Sequence, residues 1–186
     1  MNLDEARDIL IEQLREHALV IGEVTLTSGR RAQYLVDAKR ALLRPAGFHA
    51  LAALVADQAR RLSATAVGGM TMGADPIACA ALAGGADVKA FFVRKEAKGH
   101  GLRRLIEGPS LEAGERCLLV EDVVTTGGST LKALQILRGE GHRVCGVLAV
   151  LDRLAGGAEA IAAAGVGFVA LTTIDDVYPE RPDRPR

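Results

Sequence analysis

The stretch that decides the fold is residues 117–130, C-L-L-V-E-D-V-V-T-T-G-G-S-T. Its apolar start, bounded by turn residues, is typical of an interior strand of a parallel sheet. Two adjacent acids, Glu121 and Asp122, follow the apolar run. A loop of small residues then leads into 131–138, which has the apolar spacing of a helix. The stretch therefore predicts a strand, a loop and a helix in that order.

The loop of this stretch combines glycines with hydroxyl side chains, Thr125, Thr126, Gly127, Gly128 and Ser129. Glycines let a backbone approach a ligand closely, and the free N–H groups at a helix start favour an anion. The loop lacks the lysine of a nucleotide-binding P-loop, so it suits a monophosphate better. The acids just upstream would suit a hydroxylated or metal-bound group. The alternative is an ordinary glycine-rich turn between a strand and a helix, which any α/β protein can contain.

Composition narrows the class of protein. A chain of 186 residues is most simply one domain, and its zero formal charge argues against broad nucleic-acid binding. The charged N-terminus does not resemble a signal peptide, and no apolar run reaches membrane-spanning length. The cysteines Cys79, Cys117 and Cys145 are isolated, without metal-ligand spacing. We therefore expect reduced cysteines, a cytoplasmic location, and neither a nucleic-acid nor a membrane partner.

The order of patterns along the chain predicts an α/β fold. Residues 4–17 have helical spacing, and 19–26 with 33–37 predict a hairpin outside the main sheet. Strands and helices then alternate, with helices at 45–62, 75–82, 131–138 and 159–164 and further strands at 64–68, 88–93, 144–151 and 166–171. This alternation predicts a mostly parallel sheet flanked by helices, with ligands at the carboxyl ends of its strands. The last residues, 179–186, are expected to form a frayed tail.

Residues 120–130, V-E-D-V-V-T-T-G-G-S-T, resemble the phosphoribosyl-pyrophosphate (PRPP) signature of type I phosphoribosyltransferases. The resemblance implies that fold, as a single domain over 1–186 with a small N-terminal hood from about residues 1–40. It implies that Glu121 and Asp122 face the ribose hydroxyls and that Thr125 to Ser129 hold the 5′-phosphate. Val123 and Val124, which lie inside the motif, belong to the implied PRPP-binding set.

A basic, glycine-punctuated segment, R-K-E-A-K-G-H-G, begins at Arg94. Long loops of this kind in compact domains are often functional, although a solvated charged loop is the alternative. The segment is similar to the mobile catalytic loop of orotate phosphoribosyltransferases. That resemblance implies that Arg94, Lys95, Lys98 and His100 bind PRPP. It also implies a homodimer in which this loop is shared across subunits, with Lys98, His100 and Asp122 as the catalytic groups.

Three shorter segments fit the same resemblance. Residues 68–76 match the pyrophosphate loop, but Met72 stands where one branch of the family has lysine. Residues 25–30 resemble the segment that encloses orotate, with Thr27 where many members have lysine. Arg153, at the predicted end of strand 144–151, matches the arginine that holds the orotate carboxylate, and Thr125 would assist it. A guanidinium suits this role because it binds a planar carboxylate through two hydrogen bonds.

The resemblance implies transfer of phosphoribose from PRPP to orotate, giving orotidine 5′-monophosphate and pyrophosphate in pyrimidine biosynthesis. It implies Mg²⁺ as the cofactor, held mainly through PRPP and water with no direct protein ligand. Two other functions stay open at this point. One is a phosphoribosyltransferase for another base, such as a purine. The other is a non-catalytic regulator that senses PRPP while it binds RNA or DNA.

Overall fold

A computed structural model describes residues 1–25, 31–96 and 105–184 of the chain. Its strands are β1 Leu19–Thr25, β2 Arg31–Val36, β3 Ala66–Met70, β4 Lys89–Val93, β5 Ile106–Glu107, β6 Arg116–Val124, β7 Arg143–Asp152 and β8 Phe168–Thr173. Its helices are α1 Leu3–Gln13, α2 Lys39–Leu42, α3 Pro45–Arg61, α4 Asp75–Ala83, α5 Gly128–Gly139, α6 Gly157–Ala163 and α7 Ile174–Val177, with a π-helical turn at Leu14–Ala18. No helix of the described residues is long and apolar enough to cross a membrane.

The main sheet has the strand order β5-β4-β3-β6-β7-β8. All neighbours pair in parallel except β5, which is antiparallel to β4. The chain runs outward from β3 to β4 on one side and from β6 to β7 and β8 on the other, so the strand order switches between β3 and β6. In open α/β sheets, ligands bind beyond the carboxyl ends of the strands at such a switch. The predicted mostly parallel α/β sheet is confirmed.

Side chains alternate between the two faces of the sheet, and each face is covered by helices. Leu118 and Val120 of β6 pack in the same buried cluster as residues of α1, α3 and α4. Cys117 and Leu119 pack on the other face with residues of α5 and α6. The end of β6 is therefore held from both sides, which fixes the position of the acids that follow.

The N-terminal part of the chain packs against this core. Helix α1 begins with a capping box in which Glu5 N–H donates to Asn2 Oδ1 at 2.8 Å. Its buried Leu10 and Leu14 join the cluster that contains α3 and α4. The predicted hairpin is present as antiparallel β1 and β2, separate from the main sheet.

The cysteines differ in their surroundings. Cys79 on α4 is exposed, whereas Cys117 on β6 is buried and burial raises the pKa of its thiol to about 12. Cys145 Sγ donates to the Cys117 carbonyl at 3.4 Å, and burial also raises the pKa of Cys145. All three are free thiols.

The C-terminal segment differs from the expectation of a frayed tail. Arg181 is only 7% exposed, and its guanidinium contacts Asp175 and lies 3.3 Å from Asp183. The Tyr34 hydroxyl reaches Asp183 at 3.0 Å. The expectation is wrong for 179–184, because paired charges and a tyrosine hold this polar segment on the surface of the domain. Residues 185 and 186 lie outside the described part.

Candidate active site

A cavity of about 320 Å³ opens at the carboxyl ends of β3 and β6, where the strand order switches. Four parts of the chain meet there: the N-terminal part, the loop after β3, the start of the basic segment after β4, and the end of β6 with the start of α5. The polar lining includes Lys39, Lys95, Glu121, Asp122 and Ser129, with Gly73 at the wall. The structure therefore brings together the acid pair, part of the hydroxyl loop and one lysine of the basic segment.

Glu121 lies at the bottom of this cavity and is 5% exposed. Its Oε2 accepts hydrogen bonds from Ser129 Oγ at 2.6 Å and from Thr130 Oγ1 at 3.3 Å. Burial raises the pKa of Glu121 to about 7, and the nearby charge of Asp122 acts in the same direction. This carboxyl group therefore changes its charge near neutral pH. The hydroxyl of Ser129, a residue predicted to bind phosphate, donates to Glu121 in this structure.

Asp122 stands beside Glu121 but is fixed differently. Its Oδ1 accepts the Val123 backbone N–H at 2.9 Å, and its Oδ2 lies 3.4 Å from Lys39 Nζ. The loop after β3 approaches closely, because a Cβ on Gly73 would stand 2.5 Å from Asp122 Oδ1. A side chain at this position would displace the Asp122 carboxylate, so the predicted pyrophosphate loop and the acid pair form one wall. The peptide bond between Thr71 and Met72 in this loop is cis.

The hydroxyl loop forms the turn from β6 into α5. Gly127 has a φ of +79°, a conformation that a residue with a side chain rarely adopts, and α5 begins at Gly128. The first N–H groups of a helix have no partner within it, so they are available to an anion. Thr125 and Thr126 are exposed at this end. The loop can therefore hold a phosphate, as its sequence predicts.

Val123 and Val124 lie in different surroundings, one in the cavity and one in the core. Val123 lines the cavity, whereas Val124 is 1% exposed and packs in the core on the α5 side. The Val124 carbonyl accepts a hydrogen bond from the backbone N–H of Arg153 at 2.8 Å. Any contact of Val124 with a ligand would have to come from its backbone.

Arg153 follows β7 and is tied to the residue before the hydroxyl loop by that hydrogen bond. Its guanidinium lies over the Tyr34 ring, 4.6 Å from the centroid, and its Nη2 donates to the Tyr34 hydroxyl at 2.9 Å. Asp183 Oδ2 lies 3.8 Å away, while Arg153 Nε is buried and has no hydrogen-bond partner among the described residues. Tyr34, Arg153 and Asp183 line a second cavity of about 310 Å³, where a planar anionic ligand could meet the guanidinium.

The basic segment is described only at its start. Arg94 Nη1 lies 3.4 Å from Glu107 Oε1, and the Lys95 carbonyl accepts a hydrogen bond from Lys132 at 2.9 Å. Arg94 and Lys95 line a cavity of about 590 Å³ beside Met72. Lys98 and His100 lie outside the described residues, as does Thr27 in the predicted orotate segment.

Lys39, Tyr34 and Asp183 contribute polar groups to these cavities, but no motif in the sequence distinguishes them. The signal for Lys39 is weak, since it belongs to a helix of four residues, too short to show periodicity. Tyr34 lies within the predicted hairpin, but nothing in its local pattern distinguishes it. Asp183 lies in the segment expected to be frayed.

Comparison with known proteins agrees with this geometry. The Phosphoribosyl transferase domain family matches residues 44–175. An orotate phosphoribosyltransferase of Corynebacterium glutamicum is 46% identical, with 93% of this chain and 94% of that protein covered. The crystal structure of the Mycobacterium tuberculosis orotate phosphoribosyltransferase with Fe(III) dicitrate superposes with a TM-score of 0.84 at 41% identity, covering 93% of this chain and 99% of that one. That enzyme in complex with PRPP superposes with a TM-score of 0.80 at 37% identity, covering 92% and 98%. The chain belongs to the orotate phosphoribosyltransferases of the phosphoribosyl transferase domain family.

Proposed function

We propose that the chain transfers the 5-phosphoribosyl group of PRPP to orotate, releasing pyrophosphate and forming orotidine 5′-monophosphate in pyrimidine biosynthesis. The observation that carries this proposal is the hydrogen bond from the backbone N–H of Arg153 to the Val124 carbonyl. It fixes the backbone of Arg153 beside a loop suited to a phosphate. The partly buried guanidinium of Arg153 is suited to a carboxylate. A ligand pair of base carboxylate and ribose phosphate matches both.

The chemistry requires charge at both ends of the bond that breaks. The anomeric C–O bond of PRPP loses its electron pair to the pyrophosphate. The ribose carbon gains a bond to the orotate ring nitrogen, which releases its N–H proton to solvent. Positive charge develops on the ribose, and groups that are fixed in advance stabilise it best. Glu121 and Asp122 hold the ribose hydroxyls in this proposal, and Thr125 to Ser129 hold the 5′-phosphate. The positions of the acids at the end of β6 support these roles.

The leaving pyrophosphate is proposed to meet the basic segment. Lys95 lines the acid-pair cavity, and Arg94 with Lys95 lines the cavity beside Met72. Lys98 and His100 are proposed to complete this charge from the neighbouring subunit of a homodimer. Met72 is 70% exposed and uncharged, so its loop contributes backbone groups rather than a cation.

Mg²⁺ is the proposed cofactor. Among the described residues, no cluster of three or more acidic, histidine or cysteine side chains could hold a metal. The carboxylates of Glu121 and Asp122 nevertheless fit an ion that keeps its waters and is held by substrate phosphates. When bound, such an ion neutralises charge on the pyrophosphate. The three free cysteines support the further proposal of a cytoplasmic location.

The test follows the ultraviolet absorbance of orotate with PRPP and Mg²⁺ present. We expect orotate to be consumed, and adenine and uracil not to be. The control is the Arg153→Ala protein, which should bind PRPP but consume orotate far more slowly. Consumption of adenine instead of orotate would assign the chain to another base and refute the proposal.

A further inference from the structure

Lys39 is a residue of the N-terminal part of the chain whose side chain enters the acid-pair cavity. It is the first residue of α2, a short helix held in the core by Ala41 and Leu42. Its Nζ lies 2.8 Å from Asp37 Oδ1 and 3.4 Å from Asp122 Oδ2. Lys39, which follows the β1–β2 hairpin, thus contacts an acid that is 83 residues away in the chain.

The charge on Lys39 is secured by these contacts. Burial alone would lower the pKa of its ammonium group, but hydrogen bonding and charge from Asp37 and Asp122 outweigh burial and raise it. The side chain is 38% exposed and that of Asp122 only 14%, so the acid is the more enclosed partner. An enclosed carboxylate depends more on a nearby cation than an exposed one does.

Asp122 is held at both of its carboxylate oxygens. The Val123 backbone fixes Oδ1 at 2.9 Å, Gly73 closes the same side, and Lys39 faces Oδ2. Glu121, the other acid of the pair, receives its hydrogen bonds from Ser129 and Thr130. The two acids therefore have separate supports, and the support of Asp122 by a cation comes from outside the sheet.

We propose that Lys39 is a positioning residue that holds the Asp122 carboxylate in the orientation required by the ribose of PRPP. The inference rests on the proposed function. Asp37 also contacts the ammonium group, so one position of the Lys39 side chain allows contact with both carboxylates. The N-terminal part of the chain thereby contributes to PRPP binding without touching the phosphate loop.

The matched control is Lys89, another lysine paired with a carboxylate. Its Nζ lies 2.6 Å from Glu115 Oε1 and its side chain is 35% exposed, close to the value for Lys39. It stands at the first residue of β4, at the opposite end of the sheet from the cavity. Lys39→Ala and Lys89→Ala therefore remove similar ion pairs at functional and non-functional positions.

The first measurement is steady-state kinetics. We expect Lys39→Ala to lower kcat/KM for PRPP by about tenfold or more, while KM for orotate stays nearly constant. Lys39→Arg should recover part of this loss, because it keeps the cation. Lys89→Ala should match the unaltered protein. Equal losses for both alanine variants, or equal increases in both KM values, would overturn the proposal.

The second measurement is a double-mutant cycle on PRPP affinity, by calorimetry with Mg²⁺ and without orotate. Residues in contact couple, so the losses from Lys39→Ala and Asp122→Asn should be less than additive in the double variant. Additive losses would show that Lys39 acts independently of Asp122. PRPP binding without transfer to orotate would refute the proposed function alone, since the cycle still measures the coupling. No PRPP binding by the unaltered protein would refute both.

Discussion

Glu121 has contacts that favour its charged form and surroundings that oppose it. Ser129 and Thr130 donate to Oε2, yet burial dominates and its pKa rises from 4.5 to about 7. Between these two values the folded protein binds more protons at this site than the unfolded chain does. The free energy of unfolding must then fall as pH rises. The contribution of Glu121 to the free energy of unfolding is fully present below the pKa of Glu121 in the unfolded chain. It is lost as pH rises through the pKa of Glu121 in the folded protein.

We therefore expect Glu121→Gln to remove a pH dependence of stability. The amide keeps the shape and can still accept from Ser129, but it does not titrate. Denaturant unfolding should show that the free energy of unfolding decreases less between about pH 5 and about pH 8 for the variant than for the unaltered protein. The same decrease in both proteins would mean that other groups cause it.

Arg153 allows a prediction on base selectivity. Loss of a charge-assisted contact typically costs about 2 kcal/mol, or about thirtyfold in affinity. Arg153→Ala should raise KM for orotate by about this factor, with PRPP affinity nearly unchanged. Arg153→Lys should recover only part, because an ammonium cannot form the paired hydrogen bonds of a guanidinium.

Calorimetric titration of both ligands checks this prediction. Tyr34→Phe serves as a second variant, since it keeps the ring under the guanidinium but removes the hydroxyl that accepts from Arg153. We expect it to weaken orotate binding less than Arg153→Ala does. If PRPP affinity falls as far as orotate affinity, Arg153 does not determine the choice of base.

At the scale of elements, helix α5 offers a comparison between its two ends. Gly127 precedes it with a φ of +79°, and Gly141 follows it with a φ of +84°. An alanine at either position should lose about 1 kcal/mol of stability, since side chains disfavour this conformation. A Cβ at Gly141 meets nothing within 4 Å, whereas one at Gly127 lies 3.3 Å from the Gly157 carbonyl.

Both alanine variants should therefore unfold at a lower denaturant concentration, but only Gly127→Ala should weaken PRPP binding. The reason is that Gly127 sets the direction of the N–H groups at the start of α5. Calorimetry with PRPP and denaturant unfolding separate the two effects. Equal PRPP affinities in both variants would contradict the phosphate-binding role of this helix end.

The length of each element explains what the sequence could predict. The long helix α3 and the strands of the parallel sheet carry enough periodic residues to be recognised, and their predicted positions are confirmed within a few residues. Helices α2 and α7 and strand β5 are too short to show a period, so they were missed. The acid pair is adjacent in sequence and could be predicted. The contact between Asp122 and Lys39 depends on how the chain after the hairpin packs against the main sheet, and no local sequence pattern predicts that packing.

At the scale of the whole molecule, the proposed homodimer with shared sites can be tested by mixing two inactive variants. Lys98→Ala would damage the group supplied by one subunit, and Asp122→Asn the group supplied by the other. A mixed dimer then contains one site with both groups intact, so mixing should restore part of the activity. Exchange of subunits must be confirmed separately, for example with a size tag on one variant. A mixed sample that stays inactive despite exchange would exclude the shared site.

The unequal surroundings of the thiols make selective chemical labelling possible. Cys117 is buried with a pKa of about 12, and the Cys145 thiol also resists ionisation, so neither forms the reactive thiolate readily. Cys79 is exposed on α4, the helix that begins directly after the loop beside the acid pair. A maleimide dye should thus attach once per chain, which intact-mass spectrometry would verify. The labelled enzyme would then report the arrival of PRPP by fluorescence, with the natural set of cysteines left in place.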